Sequence, residues 1–477
     1  MTKNTVSTPF SNSTSDPIRW RILIVVLVAI FMSLVGISIV NVTLPSIQQS
    51  LDASQSDIQW VLSGYALTFG VVLVSAGRAG DILGRGGFFL LGVAVFTLAS
   101  IGAGLAPNAE WLKAARLAQG LGSGLLNPQG IGMIQQYFQG KDRNRAFGYF
   151  GTTVGVSVAL GPVLGGVLIK FGGLDLGWRL TFLINVPLGA LAFILGFMWF
   201  PRPLLKSLRT TSLYATLRSL DPVGALLFTL AVLCILLPFI GSQNFYIWLP
   251  LPLSLVLFYL WIKWEKHYIK MGHEPMVDLK IFNTKSYTNG ILIMVLYFLG
   301  MTSIWVLVAI YIQQGAGGSA FEASLVVIPG ALLSAYTSDW AGKRIAQFGR
   351  RIIVGGLIFA IFGLALSVGV ILLHEFYQTS LWWLLLSLSF LGLGQGAIIS
   401  PNQAITLAEV PVSYAGSAGA IMQTAQRVGA SVGLTLITAI FFAVLNHFNW
   451  TMAISVGFIA IILVMALALI VAIKDIN

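Results

Sequence analysis

Long apolar runs separated by short polar breaks dominate the chain. They fall near residues 22–44, 58–78, 88–106, 112–137, 147–170, 180–200, 222–241, 246–264, 288–313, 322–341, 351–373, 381–403, 415–445 and 450–473. Each is about 20 residues or longer, enough to cross about 30 Å of hydrocarbon at about 1.5 Å per residue. The pattern predicts an all-α polytopic membrane protein with fourteen transmembrane helices. The first run is too long for a signal-peptide core and no small-residue cleavage site follows it, so it reads as a retained span. Before it, residues 1–21 form an N-terminal tail, rich in Ser, Thr and Asn at its start and expected to be disordered. Residues 201–221 mix Leu with Arg and Lys at near-helical spacing. That predicts a segment lying along the membrane surface, as a linker or a lipid-binding element.

One phrase occurs twice. Gly77-Arg-Ala-Gly-Asp-Ile-Leu-Gly-Arg85 returns, degraded, 265 residues later as Gly342-Lys-Arg-Ile-Ala-Gln-Phe-Gly-Arg-Arg351, each time where an apolar run ends. A second echo links Gly120-Leu-Gly122-Ser-Gly124, with Pro128 beyond it, to Gly392-Leu-Gly394-Gln-Gly396, with Pro401 beyond it. Repeated turns between membrane spans predict two related halves, the arrangement of many transporters. The expected division is a six-helix bundle over 22–200, an amphipathic linker with helices seven and eight and a loop over 201–287, and a second six-helix bundle over 288–477. In the first turn, Gly77 and Gly84 allow a tight bend and close helix approach. Asp81 can accept hydrogen bonds from a neighbouring helix N-terminus or from a basic residue. Such a clasp would hold one conformation and release in another; a well-capped turn is the plainer alternative. Ala346 occupies the position of Asp81 in the second copy, so the clasp would be one-sided.

Composition sharpens the class. Hydrophobic residues make up 57% of the chain and charged ones 9%, against about 25% charged in soluble domains. Mean hydropathy is +0.88. The single cysteine, Cys234, lies in an apolar run and excludes an intramolecular disulfide or a cysteine metal cluster. The net charge of +11 is spread over short loops, which speaks for membrane topology and against a nucleic-acid partner. Of 27 Lys and Arg, 22 fall on one side of the predicted spans, Lys113, Lys170 and Arg179 on the other, and Arg116 and Arg427 inside spans. That split puts both termini in the cytoplasm, with the chain in the cell's inner (plasma) membrane.

Charge within the membrane is costly and marks cavities or partners. Arg116 lies inside helix four and Arg427 near the middle of helix thirteen, while no predicted span interior holds Asp or Glu; Asp339 is the nearest. With the amides Gln119, Asn127 and Gln423, the two arginines form a candidate substrate or coupling cavity, electropositive in character. Arg116 has the alternative of snorkelling to the surface. Tyr65, Tyr297, Trp305, Tyr311 and Gln313 are either further lining or packing residues. Helix five carries Gly151, Gly155, Gly161, Gly165 and Gly166, which permit near-contact with a partner helix, and Pro162, a bend point. Chemistry of another kind has little support. His267 and His273, with Glu265, Glu274 and Asp278, are the one loop set with enzymatic potential, and their spacing matches no metal motif. No G-x-x-x-x-G-K-[ST] phosphate loop occurs, so energy must come from an ion or substrate gradient. No cofactor is expected.

These motifs resemble the major facilitator superfamily, and within it the fourteen-helix drug-exporter branch. Gly77, Asp81, Gly84 and Arg85 match its cytoplasmic signature between helices two and three. Arg116 through Gly122 is similar to its fourth-helix signature, and Gly155 with Gly161-Pro162-Val-Leu-Gly165-Gly166 to the fifth-helix signature of exporters. Trp178-Arg179 through Gly189 resembles the start of its sixth helix, and Pro275 through Phe282 its loop before helix nine. The resemblance covers nearly the whole chain and implies two six-helix bundles with two inserted central helices. It also implies alternating access, export of small amphiphilic molecules, possible H+ coupling and, in a two-membrane bacterium, a periplasmic adaptor. Phe31 through Pro45 resembles the first-helix signature of drug–proton antiporters, but Gly36 stands where that signature carries a carboxylate. The departure weakens both proton coupling and recognition of cations. It favours an anionic or neutral amphiphile, and leaves a coupling-deficient facilitator or sensor as the alternative.

Overall fold

The computed structural model of the protein describes residues 17–205, 219–240 and 248–476. These residues form helices, with no strand among them. The first apolar run becomes α1 (Pro17–Ser38) and α2 (Val40–Ser50), set end to end across a break at Ile39. Then come α3 (Gln55–Leu83), α4 (Arg85–Gly104), α5 (Ala109–Tyr137), α6 (Gly140–Leu183) and α7 (Asn185–Trp199). The middle of the chain supplies α8 (Pro222–Leu236) and α9 (Pro250–Lys270). The last part supplies α10 (Lys285–Ile310), α11 (Ala320–Phe348), α12 (Arg351–Tyr377), α13 (Trp383–Thr406), α14 (Ala415–Leu445) and α15 (Trp450–Lys474).

Ten stretches of the described residues are long and apolar enough to cross a membrane. The longest, the 60 residues Gly140–Trp199, folds back on itself at Gly173, where φ is 69° and ψ is −164°. Beyond that point Gly177 lies against Ile169 and Gly172, so the stretch crosses twice. The more polar α5 and α11 pack among the others, and the more polar α9 packs on α8. Among the described residues every apolar run of the sequence thus coincides largely with helix, and the chain is a multi-pass membrane protein.

The helices outrun the apolar runs at the end of the bundle rich in Lys and Arg, here called the basic face. There α3 continues to Leu83, α9 to Lys270 and α11 to Phe348, while α6 begins at Gly140. Continuing the helix keeps backbone groups paired while long charged side chains reach out to water. For the same reason α1 starts at Pro17, within the tail expected to be disordered; proline is suited to a first helical turn, where its missing N–H costs nothing. Residues 1–16 of that tail, and 206–218 of the expected surface segment, lie outside the described residues.

Packing follows the repeat. In the N-terminal bundle α1 packs on α6 and α7, α2 on α6, and α5 on both α3 and α4. In the C-terminal bundle α10 packs on α14 and α15, α12 on α15, and α13 on both α11 and α12. Between them, α8 and α9 pair with each other and α8 rests on α3. The two glycine echoes explain themselves here. A Cβ at Gly120 would fall onto the Tyr65 carbonyl of α3, and one at Gly122 would lie 2.6 Å from the Phe96 nitrogen of α4. A Cβ at Gly392 would fall onto the Gly330 carbonyl of α11, and one at Gly394 would lie 2.5 Å from the Gly356 carbonyl oxygen of α12. Each echo lets one helix lie backbone-to-backbone with two neighbours, the close approach on which helix association in lipid depends.

Gly392→Val should therefore overpack α13 against α11, at a cost of about 1–3 kcal/mol. Gly369→Val, on α12 with nothing within 4 Å of an added Cβ, should leave stability unchanged. Thermal unfolding of the two variants in detergent, compared with the parent chain, checks the contrast.

Candidate functional site

The bundles meet along two main seams, α3 with α14 and α6 with α11, with α5 on α14 and α6 on α13 beside them. Among the described residues, the hydrogen bonds that join the bundles gather toward the basic face. The most elaborate centres on Asp81, near the end of α3. Its Oδ1 accepts from Arg85 Nε (3.0 Å) and Nη2 (2.7 Å) and from the Gly416 N–H (3.0 Å). Its Oδ2 accepts from the Ser417 N–H (2.9 Å) and Oγ (3.1 Å). Gly416 and Ser417 open α14, so the carboxylate sits on the positive end of a helix that belongs to the other bundle. Arg85 also donates to the Val412 carbonyl at 2.5 Å and to Gln136 Oε1 at 2.7 Å.

Glycine makes this approach possible. A Cβ at Gly77 would lie 2.7 Å from the Gly416 carbonyl oxygen. Gly84 has φ 122° and ψ 118°, a backbone unsuited to other residues, and turns the chain from α3 into α4. Arg78 ties in the inserted region: it pairs with Glu274 at 3.1 Å and lies over the Tyr414 ring at 5.4 Å.

The second seam uses the repeat differently. Gly342, the counterpart of Gly77, lies against Gly148 of α6. Ser338 Oγ donates to the Gly148 carbonyl (3.2 Å), Thr152 Oγ1 to the Ala335 carbonyl (3.0 Å) and Ser400 Oγ to the Phe147 carbonyl (2.5 Å). Arg350, the counterpart of Arg85, works inside its own bundle. It donates to Asn402 Oδ1 at 2.6 Å and the Ser286 carbonyl at 2.6 Å, and pairs with Asp475 at the end of α15. With Ala346 in place of an acid, the second turn keeps the arginine and recruits its carboxylate from elsewhere.

The candidate cavity residues fall into two groups. Arg116 is buried, and its partners all belong to the N-terminal bundle: the Val61 carbonyl (2.8 Å), the Gly36 carbonyl (3.3 Å) and Gln119 Oε1 (3.0 Å). Gln119 donates onward to Ser100 Oγ at 2.8 Å. Asn127 donates to Ser33 Oγ (3.3 Å) and the Ser123 carbonyl (2.9 Å), in a cluster that Tyr65 completes. Where the related signature carries a carboxylate, Gly36 thus offers Arg116 its carbonyl. A Cβ at Gly36 would lie 3.1 Å from Phe96 Cζ.

Arg427 differs. It is half-buried on α14, and its guanidinium lies 4.5 Å from the centroid of Phe69 on α3, across the seam. It makes no hydrogen bond or ion pair among the described residues. Near it along α14, Gln423 Nε2, Thr424 Oγ1 and Gln426 Nε2 are buried without a partner. Cations and rings alternate through this region: Arg116 lies 4.5 Å from the Tyr65 ring, Tyr65 is 6.0 Å from Phe69, and Phe69 faces Arg427. Cation–π contacts hold a desolvated guanidinium at modest cost and leave its N–H groups available.

The fifth-helix glycines have two destinations. Gly151 and Gly155 face α11, whereas Gly161 and Gly165 face Ser38 and Ile39 at the break between α1 and α2. Gly166 has nothing within 4 Å of an added Cβ, and Pro162 lies within α6, whose non-helical residue is Gly173.

Several residues here escaped the sequence reading. Ser338, Ser400 and Thr152 bridge the seam; for Thr152 and Ser400 the signal was a small hydroxyl beside a glycine or proline in an apolar run, Gly151 and Pro401, and Ser338 had no such neighbour. Glu265, read as a loop residue because Lys263, Lys266 and Lys270 flank it, is fully buried in α9 with Trp261 and Tyr268 on the same face. The i, i+4, i+7 spacing of those three was the missed sign.

Asp81→Asn should loosen the seam at the basic face, since charge-assisted hydrogen bonds contribute about 1.5–3 kcal/mol each. A cysteine introduced at Ala420, buried where α14 crosses α3, should then react with a thiol reagent supplied from that face roughly tenfold faster. Alkylation kinetics with and without Asp81→Asn check this.

Comparison with known proteins agrees with this architecture. The sequence pattern of the Major Facilitator Superfamily matches residues 26–263 and 290–475. The chain is 32% identical over 440 residues to a probable actinorhodin transporter of Streptomyces coelicolor, covering 90% of this chain and 73% of that one. It is 29% identical over 441 residues to the tetracenomycin C resistance and export protein of Streptomyces glaucescens, covering 90% and 77%. Its fold is similar to that of the human organic anion transporter MFSD10, with a TM-score of 0.68 at 13% identity, covering 96% and 100%. The chain therefore belongs to the Major Facilitator Superfamily, in the branch of its antibiotic-transporting relatives, and is a transporter rather than an enzyme.

Proposed function

We propose that the protein exports small amphiphilic molecules by alternating access, and that its site takes anionic or neutral amphiphiles. The observation that carries the substrate class is Arg427: a half-buried guanidinium at the seam between the bundles, with no carboxylate to neutralise it among the described residues. An uncompensated charge in a low-dielectric site is costly, so a ligand that brings an anion or a strong acceptor is favoured there and a cation is repelled. The unpartnered amides of Gln423 and Gln426 add neutral donors nearby. Phe69 and Tyr65 supply aromatic surface for the apolar part of an amphiphile. Export as the direction is supported by the name of the Streptomyces glaucescens relative, a resistance and export protein, and by the exporter-type glycines of α6.

The basic face, by the charge asymmetry of the loops, is the cytoplasmic one, with the chain in the plasma membrane. The gathering of inter-bundle hydrogen bonds there corresponds to a state closed to the cytoplasm. A proton gradient is the proposed energy source. Its coupling group is not a first-helix carboxylate, because Gly36 occupies that position and Arg116 is satisfied by carbonyls and Gln119. Arg116 and its partners then hold the N-terminal bundle together, next to the site formed around Arg427.

In everted vesicles energised by respiration, an anionic amphiphile should accumulate. Arg427→Ala should slow its initial uptake about tenfold, the loss expected for one charge-assisted hydrogen bond, while Arg427→Lys should retain part of the rate. Accumulation of a cationic dye with the same vesicles, unaffected by Arg427→Ala, would overturn the substrate class. Downhill equilibration of the anion without accumulation would instead favour an uncoupled facilitator.

A further inference from the structure

On the lipid-facing side of the C-terminal bundle, near the basic face, α11, α12 and α13 enclose a groove of about 350 Å³. Trp340, Phe348, Phe359 and Leu393 line it, and it opens beside Gly355, where an added Cβ would meet nothing within 4 Å. Trp340 and Phe348 stack with ring centroids 6.5 Å apart and 13° between planes. The polar end is basic. Arg351 lines the mouth, is exposed and makes no hydrogen bond or ion pair among the described residues, and Arg344 lies over the Trp340 ring at 4.8 Å.

The repeat provides an internal comparison. The matching turn of the N-terminal bundle is covered by the chain itself. A Cβ at Gly84 would lie 2.7 Å from the Leu204 carbonyl oxygen, the Gly87 N–H donates to that same oxygen at 3.0 Å, and a Cβ at Gly86 would touch Leu204 Cδ2 at 3.5 Å. Two leucine side chains, from Leu204 and Leu205, therefore cover the first copy of the turn. At Gly349, the counterpart of Gly84, an added Cβ would meet nothing within 4 Å. Among the described residues, the surface that takes branched alkyl groups in one bundle is bare in the other, and it carries two arginines, Arg344 and Arg351.

We propose that this groove is a binding site for an anionic phospholipid, one acyl chain lying along Gly355 and Phe359 and the phosphate held by Arg351 and Arg344. A concave apolar surface facing the bilayer is filled by hydrocarbon, and a tryptophan at its rim belongs at the membrane interface. Each basic residue near the membrane surface favours anionic lipid by about 1 kcal/mol, which corresponds to roughly a fivefold preference. Arginine's planar fork suits a phosphate better than a point charge does.

The test is native mass spectrometry of the full-length protein released from detergent, with phosphatidylglycerol and phosphatidylcholine of matched acyl chains offered together. The parent chain should retain one phosphatidylglycerol in preference to phosphatidylcholine. Gly355→Leu, which fills the groove, should abolish retention of either lipid there. Arg351→Ala should keep the acyl site but lower the preference for phosphatidylglycerol about fivefold. Thermal unfolding accompanies both variants; should Gly355→Leu not fold, the Arg351→Ala preference decides alone. Undiminished retention in a folded Gly355→Leu, an unchanged preference in Arg351→Ala, or a retained molecule that is not a phospholipid would each overturn the proposal.

Discussion

The carboxylate of Asp81 is the most heavily bonded link between the two bundles at the basic face. It satisfies an arginine of its own bundle and the opening amides of α14 in the other. Inside a membrane protein each of those groups would be expensive to leave unpaired. The bond is therefore strong enough to define one state. It is also polar and lies at the basic face, where water can replace it when the bundles part. Helix contacts deeper in the bundle are held by dispersion and close backbone approach, which gain nothing from water.

The asymmetry between the two copies of the turn then has a physical meaning. Both glycines, Gly77 and Gly342, lie at crossings between the bundles. Both arginines, Arg85 and Arg350, are nearly buried and satisfied. Only the acid differs: one stands in the turn and reaches across, the other is Asp475 and holds α15 within its own bundle. One seam is held by a charged clasp, while the other carries hydroxyl-to-carbonyl bonds from Ser338, Ser400 and Thr152. The cavity arginines divide similarly. Arg116 is absorbed into the N-terminal bundle, and Arg427 stands where the bundles meet.

Much of this was legible in the sequence, because lipid imposes simple rules. Apolar runs of sufficient length must be helices, and glycine echoes at a fixed offset must reflect repeated close contacts; both readings correspond to what is seen in α3, α5, α11 and α13. The Gly77–Arg85 turn announced its chemistry through the pairing of Asp81 with flanking glycines. Gly173, where one crossing ends and the next begins, falls in the break between the runs 147–170 and 180–200, so that reversal was legible even though helix continues on both sides of it. Other features had no local signal. The partners of Arg116 are mostly backbone carbonyls, which every residue possesses, so no side-chain pattern could name them. Glu265 was hidden by its lysine neighbours, since a loop and the charged end of a helix share the same composition. The bare groove beside Gly355 depends on which residues are missing from a surface.

Spin-label distances at the two ends of the molecule test the central claim most directly. One pair would span the basic face, at Lys141 and Glu409, and another the opposite face, at Glu110 and His447, all exposed positions. Alternating access governed by the Asp81 clasp predicts reciprocal change. In Asp81→Asn the first distance should lengthen and the second shorten, with both distributions shifting by the same population. Independent movement of the two distances, or no change in either, would contradict it.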